Sequence, residues 1–283
     1  MTNDVTGFIT KCMASAQISG GAAVQMTQTE HRIKLTRFWG IHEGAKVLEI
    51  GCGQGDTTAV LAYFAGSTGL VHGIDIGPPD YGAPITIGDS ADYLMKSPLG
   101  HQIHMEFEVD ILSSDTDFPD AFFDFVVFSH CSWYLSSPEE LLKLLRRVRA
   151  WGKQLCFAEW DTRVQRIEQY PHLLAVLIQA QYESFKNSSE SNVRTLFTPS
   201  DIQRFVQQAG WTLVQEASIS SPELQDGQWE VDKVLLDAEE EFQGIPHLPA
   251  KSLDLLRSQI QMLKDSTAGR DIQSLPVYAF SAV

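Results

Sequence analysis

The segment Val47–Asp56 constrains the fold of this chain more than any other part of its sequence; it reads Val-Leu-Glu-Ile-Gly-Cys-Gly-Gln-Gly-Asp. Its apolar start is typical of a strand buried in a parallel sheet. Gly51, Gly53 and Gly55 then allow a sharp turn and a close approach of the backbone to a ligand. A helical apolar pattern follows, with Asp56 at its expected N-cap. The segment therefore predicts a strand, a glycine turn and a helix, as in loops that bind nucleoside-containing cofactors.

The charges around this turn distinguish between cofactors. Glu49 precedes the turn, Asp56 follows it, and no Lys or Arg occurs between Lys46 and Lys96. The Gly-x-Gly-x-Gly spacing also differs from the Gly-x-Gly-x-x-Gly of dinucleotide-binding loops. A pyrophosphate would meet carboxylates without a compensating cation, whereas S-adenosylmethionine carries an ammonium and a sulfonium group. The turn therefore favours S-adenosylmethionine.

Four segments resemble, in the correct order, the successive motifs of class I S-adenosylmethionine-dependent methyltransferases, in their small-molecule branch. They are Val47–Asp56, Val71–Ile76, Val109–Ile111 and Phe123–Tyr134. The resemblance covers about residues 40–215. It implies an α/β fold with a doubly wound, mostly parallel seven-stranded sheet (Rossmann-like) and helical lid inserts. It also implies methyl transfer from S-adenosylmethionine to an O, N, S or C atom of a small molecule, plausibly a secondary metabolite.

The same resemblance implies roles for side chains at the strand ends. Asp75 would accept hydrogen bonds from both ribose hydroxyls, and Asp110, which closes the predicted third strand, would hydrogen-bond the adenine amino group. Ile111 would pack on the adenine ring, and Glu49 would meet the methionine ammonium. Each acid also has an ordinary interpretation as a helix cap, a turn acid or support for the glycine turn. The remaining predicted cofactor contacts are Gly51, Cys52, Gly53, Gly55, Ile76, Ser129 and His130.

Three residues are candidates for a catalytic role. His130 follows the fourth predicted strand and has the ordinary pKa range of a general base near neutrality. Glu159 ends the fifth strand, where it could orient or deprotonate a nucleophile, and Tyr134 is a candidate for the substrate pocket. The structural alternatives stay open: His130 packing beside the methionine moiety, Glu159 binding the lid, and Tyr134 as a core aromatic.

Strand-like and helix-like segments alternate along the chain, which predicts a parallel sheet with helices on both faces. We expect an N-terminal helical lid segment over residues 1–45 and a cofactor-binding core over residues 46–220. The core contains a helical insert at about residues 163–195. A second helical insert covers residues 221–270, and residues 271–283 supply a final strand, which the resemblance implies is antiparallel.

Composition limits the partners. The 283 residues include 21 Lys and Arg against 36 Asp and Glu, which gives a formal net charge of −15. Such a surface repels phosphate backbones and anionic lipids, so we expect a small-molecule substrate, no nucleic acid and no membrane. The sequence leaves open an oligomer formed through the lid.

The cysteines and histidines show no pattern of metal ligands. Four cysteines are scattered without a Cys-x-x-Cys pair, and the chain lacks the paired acids of magnesium-dependent methyltransferases. We therefore expect no metal. Reduced thiols, together with an N-terminus that has neither a basic nor a long apolar stretch, predict a cytoplasmic protein.

Two other functions fit the same motifs. One is a pericyclase-like or otherwise non-methylating enzyme in which the sulfonium only provides an electric field. The other is a non-catalytic binding partner whose lid forms a protein interface.

Overall fold

A seven-stranded sheet organises residues 2–189 and 191–283, the part of the chain that the computed structural model describes. Its strands are β1 Lys46–Ile50, β2 Leu70–Ile74, β3 Ile103–Glu106, β4 Phe123–Ser129, β5 Gly152–Trp160, β6 Leu213–Ile219 and β7 Val277–Ala282. The predicted segments 1–45 and 163–195 include Met1 and Glu190, which lie outside the described residues.

The spatial order of the strands is β3-β2-β1-β4-β5-β7-β6. All neighbours pair in parallel except β7, which runs antiparallel to both β5 and β6. The predicted seven-stranded, mostly parallel sheet is therefore confirmed, including its antiparallel final strand. The chain leaves β1 toward β2 on one side and reaches β4 on the other, so the strand order reverses at β1. Open α/β sheets bind ligands beside the carboxyl ends of the strands at such a point.

The helices follow the turn and cap signals of the sequence. Gly20, with φ +78°, precedes the helix Gly21–Trp39, and Ser137 caps the helix Pro138–Val148 by accepting a hydrogen bond from the backbone N–H of Glu140 (3.2 Å). Thr198 and Asp201 form a reciprocal capping box at the start of α7. The helices are α1 Thr2–Lys11, α2 Gly21–Trp39, α3 Asp56–Ala65, α4 Ile87–Met95, α5 Pro138–Val148, α6 Tyr170–Glu183, α7 Pro199–Gln208, α8 Asp226–Gln243 and α9 Ala250–Thr267.

The third strand is shorter than the sequence predicts, because β3 ends at Glu106 and Asp110 lies in the loop beyond it. Glu108 has a φ of +58°, which turns the backbone out of the extended conformation. The backbone N–H of Glu108 still donates to the Gly77 carbonyl, and that of Val109 donates to the Asp75 carbonyl. This irregular pairing keeps Asp110 beside the loop that follows β2.

The two inserts pack on each other. Helices α6, α8 and α9, which we call the insert bundle, share an apolar core distinct from the core around the sheet. Within it the rings of Tyr182 and Phe242 meet edge to face at 5.8 Å. Among the described residues, no helix combines the length and the apolar character needed to cross a membrane.

Candidate cofactor and substrate site

The glycine turn after β1 adopts the conformation that its sequence predicts. Gly51, Gly53 and Gly55 have φ values of +73°, +50° and +87°, a region that residues with a Cβ rarely adopt. A Cβ on Gly51 would lie 2.7 Å from the Cβ of Cys131, whereas a Cβ on Gly53 would have no neighbour within 4 Å. Gly51 therefore lets two segments pack closely, and Gly53 borders open space where a ligand can approach the backbone.

Asp56 is not the cap of α3, contrary to the sequence-based expectation. Gly55 occupies the N-cap without a side-chain hydrogen bond, and Asp56 is the first residue of the helix. Its Oδ1 accepts a hydrogen bond from Nε2 of Gln25 at 2.7 Å. The side chain therefore fixes α2 to the start of α3, so an N-terminal helix crosses the region of the glycine turn.

Asp75 connects the glycine turn with the loop after β2. Its Oδ2 accepts from the backbone N–H of Gly53 and its Oδ1 from that of Gly77, each at 2.8 Å. A carboxylate has about four lone-pair directions, so both oxygens keep the capacity to accept further hydrogen bonds. The side chain is only partly buried, and its contact with the ribose hydroxyls stays a prediction.

The three other predicted contacts near this edge differ in exposure. Ile76 is 67% exposed, and Asp110 is exposed while its Oδ1 accepts from the Leu112 backbone N–H at 2.7 Å. Ile111 is 5% exposed and belongs to the main apolar core. Ile111, which is predicted to pack on the adenine ring, therefore has little open surface, whereas Ile76, another predicted cofactor contact, is largely open.

Glu49 is a buried acid under the glycine turn. It is 2% exposed, and its Oε2 accepts a hydrogen bond from Oγ1 of Thr58 at 2.6 Å. Burial raises the pKa of Glu49 to about 8, although the Thr58 hydrogen bond and the positive charge of Arg32 both lower it. The carboxyl group is therefore mainly protonated at neutral pH unless a cation approaches it.

Arg32 is a residue that sequence reasoning missed. It lies on α2, its Nη1 donates to Oε1 of Gln28 at 2.5 Å, and its buried Nε has no hydrogen-bond partner among the residues that the structure describes. Because α2 crosses the strand ends, this cation comes close to Glu49 despite the absence of Lys and Arg from the motif itself. The only sequence feature that pointed to this region was the predicted N-terminal lid segment, which identified no individual residue.

His130 is held from several sides. It has a φ of +53°, its backbone N–H donates to the Ala158 carbonyl at 2.9 Å, and its ring packs on Trp160 at 4.7 Å. Ser129, the residue before it, is buried and its Oγ lies 3.3 Å from Oγ1 of Thr57. The strand end therefore fixes the position of the imidazole.

A hydrogen-bond chain from α2 reaches this ring. Nζ of Lys34 donates to Oγ of Ser221 at 2.9 Å, and Nδ1 of His31 lies 3.0 Å from the same oxygen. Burial lowers the pKa of His31 well below its usual range, so its ring is neutral, and its Nε2 lies at hydrogen-bond distance, 3.0 Å, from Nε2 of His130. Nδ1 of His130 is buried without a hydrogen-bond partner among the described residues, 3.7 Å from Oε1 of Glu159. One ring nitrogen of His130 therefore contacts His31, and the other is buried beside Glu159.

Glu159 holds the short 3-10 turn Ser132–Tyr134. Its Oε2 accepts hydrogen bonds from the backbone N–H of Ser132, from Oγ of Ser132 and from the backbone N–H of Trp133, at 3.0, 2.7 and 3.4 Å. Its Oε1 accepts from the Trp160 backbone N–H at 3.0 Å. Such a carboxylate positions a loop, and its predicted catalytic role stays a prediction.

Tyr134 lies near acidic groups of the insert bundle. Its side chain is 38% exposed, and its pKa is raised, first by burial and then by the negative charges of Glu230 and other nearby groups. Glu230, on α8, accepts from Nε2 of Gln179 at 2.6 Å, and burial raises its pKa as well. Glu230 is a second residue that sequence reasoning missed.

An acidic glycine turn at the switch point of a seven-stranded sheet, with β7 antiparallel, defines the class I S-adenosylmethionine-dependent methyltransferases as the class of this protein. The family model described as a methyltransferase domain matches residues 27–216. The chain therefore belongs to the methyltransferase domain family. This membership confirms the predicted class, and S-adenosylmethionine is the cofactor of that class.

Individual relatives agree with this assignment. The chain is 27% identical over 230 residues to methyltransferase phomM′ of Diaporthe leptostromiformis, a match that covers 68% of this chain and 59% of that relative. It also resembles the crystal structure of a cyclopropane-fatty-acyl-phospholipid synthase-like protein from Lactobacillus casei. That similarity has a TM-score of 0.86 and 31% identity and covers 99% of both chains.

The fold is shared with an enzyme of different chemistry. The [4+2]-cyclase SpnF matches with a TM-score of 0.53 and 13% identity over 99% of this chain and 94% of that one. At this identity the similarity concerns the fold alone, and a fold does not determine a reaction.

Proposed function

We propose that this chain binds S-adenosylmethionine at the carboxyl ends of β1 and β2 and transfers its methyl group to a small molecule. The observation that carries the proposal is the acidic glycine turn. Glu49 lies buried beneath it, and Asp75 holds it through the Gly53 N–H while retaining acceptor capacity. Open space at Gly53 and the unpartnered buried Nε of Arg32 support a ligand that carries both an ammonium and a carboxylate group.

Each group of the cofactor has a proposed partner in this arrangement. Asp75 accepts from the ribose hydroxyls, Asp110 accepts from the adenine amino group, and Ile76 packs on the adenine ring. Glu49 faces the methionine ammonium and Arg32 the methionine carboxylate. The further proposed contacts are Gly51, Cys52, Gly53, Gly55, Ile111, Ser129 and His130.

We further propose that α1, α2 and the insert bundle form a lid over this site. Gln28 on α2 donates to Oδ2 of Asp226 on α8 at 2.8 Å, and the pair of His31 and His130 connects α2 to the end of β4. These contacts bridge the three parts of the chain around the space beside Tyr134. A closed lid excludes water and aligns the reactants, the main requirements of a displacement at carbon.

The chain's own residues orient the acceptor. S-adenosylmethionine supplies, when bound, a methyl group activated by a positive sulfur. Because the pKa of Tyr134 is raised, its phenol stays protonated and can hydrogen-bond the acceptor molecule. His130 contacts His31 through Nε2 and its Nδ1 is buried, so it fixes the wall of the site unless His31 releases it. This arrangement favours an acceptor that ionises readily or carries a free lone pair.

Calorimetry with S-adenosylhomocysteine tests the proposal. We expect the full chain to bind it with a Kd of about micromolar, and Asp75→Asn to weaken binding by about tenfold or more, because a charge-assisted acceptor is lost. Asp254→Asn, which changes an exposed acid on α9, serves as the matched control and keeps wild-type affinity. An absence of binding at about millimolar ligand contradicts the proposal.

A pericyclase-like enzyme is the second candidate, favoured because Nε2 of His130 contacts His31 and its Nδ1 is buried, so neither nitrogen faces an acceptor molecule. Incubation with small-molecule extracts and a methyl-labelled donor separates the two reactions. Methyl transfer forms S-adenosylhomocysteine in step with a labelled product, whereas a pericyclic reaction consumes no donor. A non-catalytic binding partner would give neither product.

A further inference from the structure

Two histidines and a glutamate converge on the outer strands of the sheet, outside the proposed cofactor site. His72 of β2 and His104 of β3 are direct partners in the parallel register, and Glu106 follows two residues later on β3. Oε2 of Glu106 lies 3.0 Å from Nε2 of His72, and Oε1 lies 3.1 Å from Nε2 of His104. The three side chains therefore share one face of the sheet.

The ligand atoms have the spacing of a metal centre. One atom from each side chain can be chosen so that all three lie within 4.8 Å of one another. Zinc bonds of about 2.0–2.2 Å at tetrahedral angles place ligand atoms about 3.3–3.5 Å apart, so small rotations suffice. The side chains of His104 and Glu106 are 56% and 43% exposed, so both are free to make these rotations.

The surroundings fix one ligand and leave access from solvent. The His72 side chain is 14% exposed, and its ring meets those of Phe118 at 5.3 Å and Phe123 at 6.3 Å, edge to face. An apolar wall on one side orients the ligand and limits the water around a bound ion. The open side lets an ion enter and keep a water molecule as a further ligand.

We propose that His72, His104 and Glu106 bind one divalent transition metal ion of the zinc type. Two imidazoles with one carboxylate suit zinc, nickel or copper, whereas calcium and magnesium prefer oxygen ligands. In the metal-free state each Nε2 carries the hydrogen that it donates to the carboxylate of Glu106. On binding, each Nε2 releases this proton to solvent and gives its lone pair to the metal, and the neutral ring carries a proton on Nδ1 instead. One metal–oxygen bond replaces the two hydrogen bonds that the carboxylate accepts.

The site is separate from the proposed methyl transfer but adjacent to it. The carbonyl of Glu106 accepts the backbone N–H of Asp75 at 2.9 Å, so one residue contributes to both regions. The proposal does not depend on the methyltransferase activity, and metal binding alone can test it.

Titration of the purified full chain with zinc chloride in a calorimeter is the test. We expect one ion per chain, and a loss of affinity of about tenfold or more in both His104→Gln and Glu106→Gln. His101→Gln, at an exposed histidine just before β3 and outside the cluster, is the matched control and binds zinc as the wild type does.

Cobalt substitution gives an independent readout, because a tetrahedral Co²⁺ centre produces visible absorption bands that His104→Gln should abolish. Circular dichroism establishes that each variant is folded. The proposal is overturned if the folded wild type binds no zinc at about 100 μM, or if His104→Gln and Glu106→Gln bind it unchanged.

Discussion

At the scale of single residues, the proposed site depends on two carboxyl groups that have similar sequence contexts but different surroundings in the fold. Glu49 and Asp75 each follow apolar strand residues and precede an Ile-Gly pair. Glu49 is almost fully buried, whereas Asp75 is partly open and accepts two backbone hydrogen bonds. The first therefore responds to an approaching cation by ionising, and the second provides a fixed acceptor.

The affinity for S-adenosylhomocysteine should depend on pH through Glu49. In the free protein the pKa of Glu49 is about 8, and a bound ammonium stabilises the carboxylate and lowers that pKa. Binding below the free value then releases a proton, so affinity rises from about pH 6 toward pH 8, by at most about tenfold per pH unit. The rise levels off above about pH 8, because Glu49 is then already ionised in the free protein and binding releases no further proton.

Calorimetry across this pH range, in buffers of different ionisation enthalpy, measures the affinity and the proton release together. Glu49→Gln should bind without the proton release. Equal pH dependence in the wild type and in Glu49→Gln would show that another group titrates.

Arg32 should supply the cation for the ligand's carboxylate. Arg32→Gln removes a charged donor whose Nε is buried without a partner, and we expect S-adenosylhomocysteine to bind about ten- to a hundredfold more weakly. Arg37→Gln, at an exposed arginine on the same helix, is the control. If both variants bind equally in calorimetry, the proposed contact is wrong.

At the scale of elements, strand ends and turns position these residues. The glycine turn packs against the loop after β4. Glu159 accepts a hydrogen bond from the 3-10 turn in that loop. Helix α2 crosses the same region and connects to α3 through the hydrogen bond between Gln25 and Asp56. A substitution in the glycine turn therefore affects packing if it faces the loop after β4, and ligand access if it faces the open side.

Alanine substitutions at two glycines of this turn should separate these effects. Both positions have positive φ, so each substitution costs about 1–2 kcal/mol of stability. Gly51→Ala adds a collision with Cys131 and should lower the free energy of unfolding by a further 1–3 kcal/mol or so, measured in urea. Gly53→Ala should remain the more stable variant but lose affinity for S-adenosylhomocysteine, because its methyl group projects into open space. Wild-type affinity in Gly53→Ala would place the cofactor elsewhere.

At the scale of the whole molecule, two apolar cores divide the structure. One surrounds the sheet, and the other lies within the insert bundle of α6, α8 and α9. The polar contacts from α2 to α8 and to the end of β4 connect the two around the proposed site. Independent cores allow the bundle to loosen while the sheet stays folded.

Native-state hydrogen exchange should reveal this division. Phe242→Ala removes a ring that is 6% exposed in the bundle core, a change that costs about 3–5 kcal/mol in buried positions. We expect faster exchange in α6, α8 and α9 with little change in β1 and β4. Phe280→Ala, which affects a fully buried ring in the sheet core, should instead speed exchange throughout the sheet. Uniform loss of protection in Phe242→Ala would mean that the molecule unfolds as one unit.

The sequence by itself determined the strand, glycine turn and helix at Val47–Asp56 and the order of the sheet motifs. These features follow from local sterics and from periodic burial, which residues close in sequence encode. Only the tertiary structure decided which distant side chains meet. It placed Arg32 near Glu49, paired His31 with His130, joined the two inserts in one core and brought His72, His104 and Glu106 together. Such contacts depend on how whole elements pack, and no spacing along the chain specifies that packing.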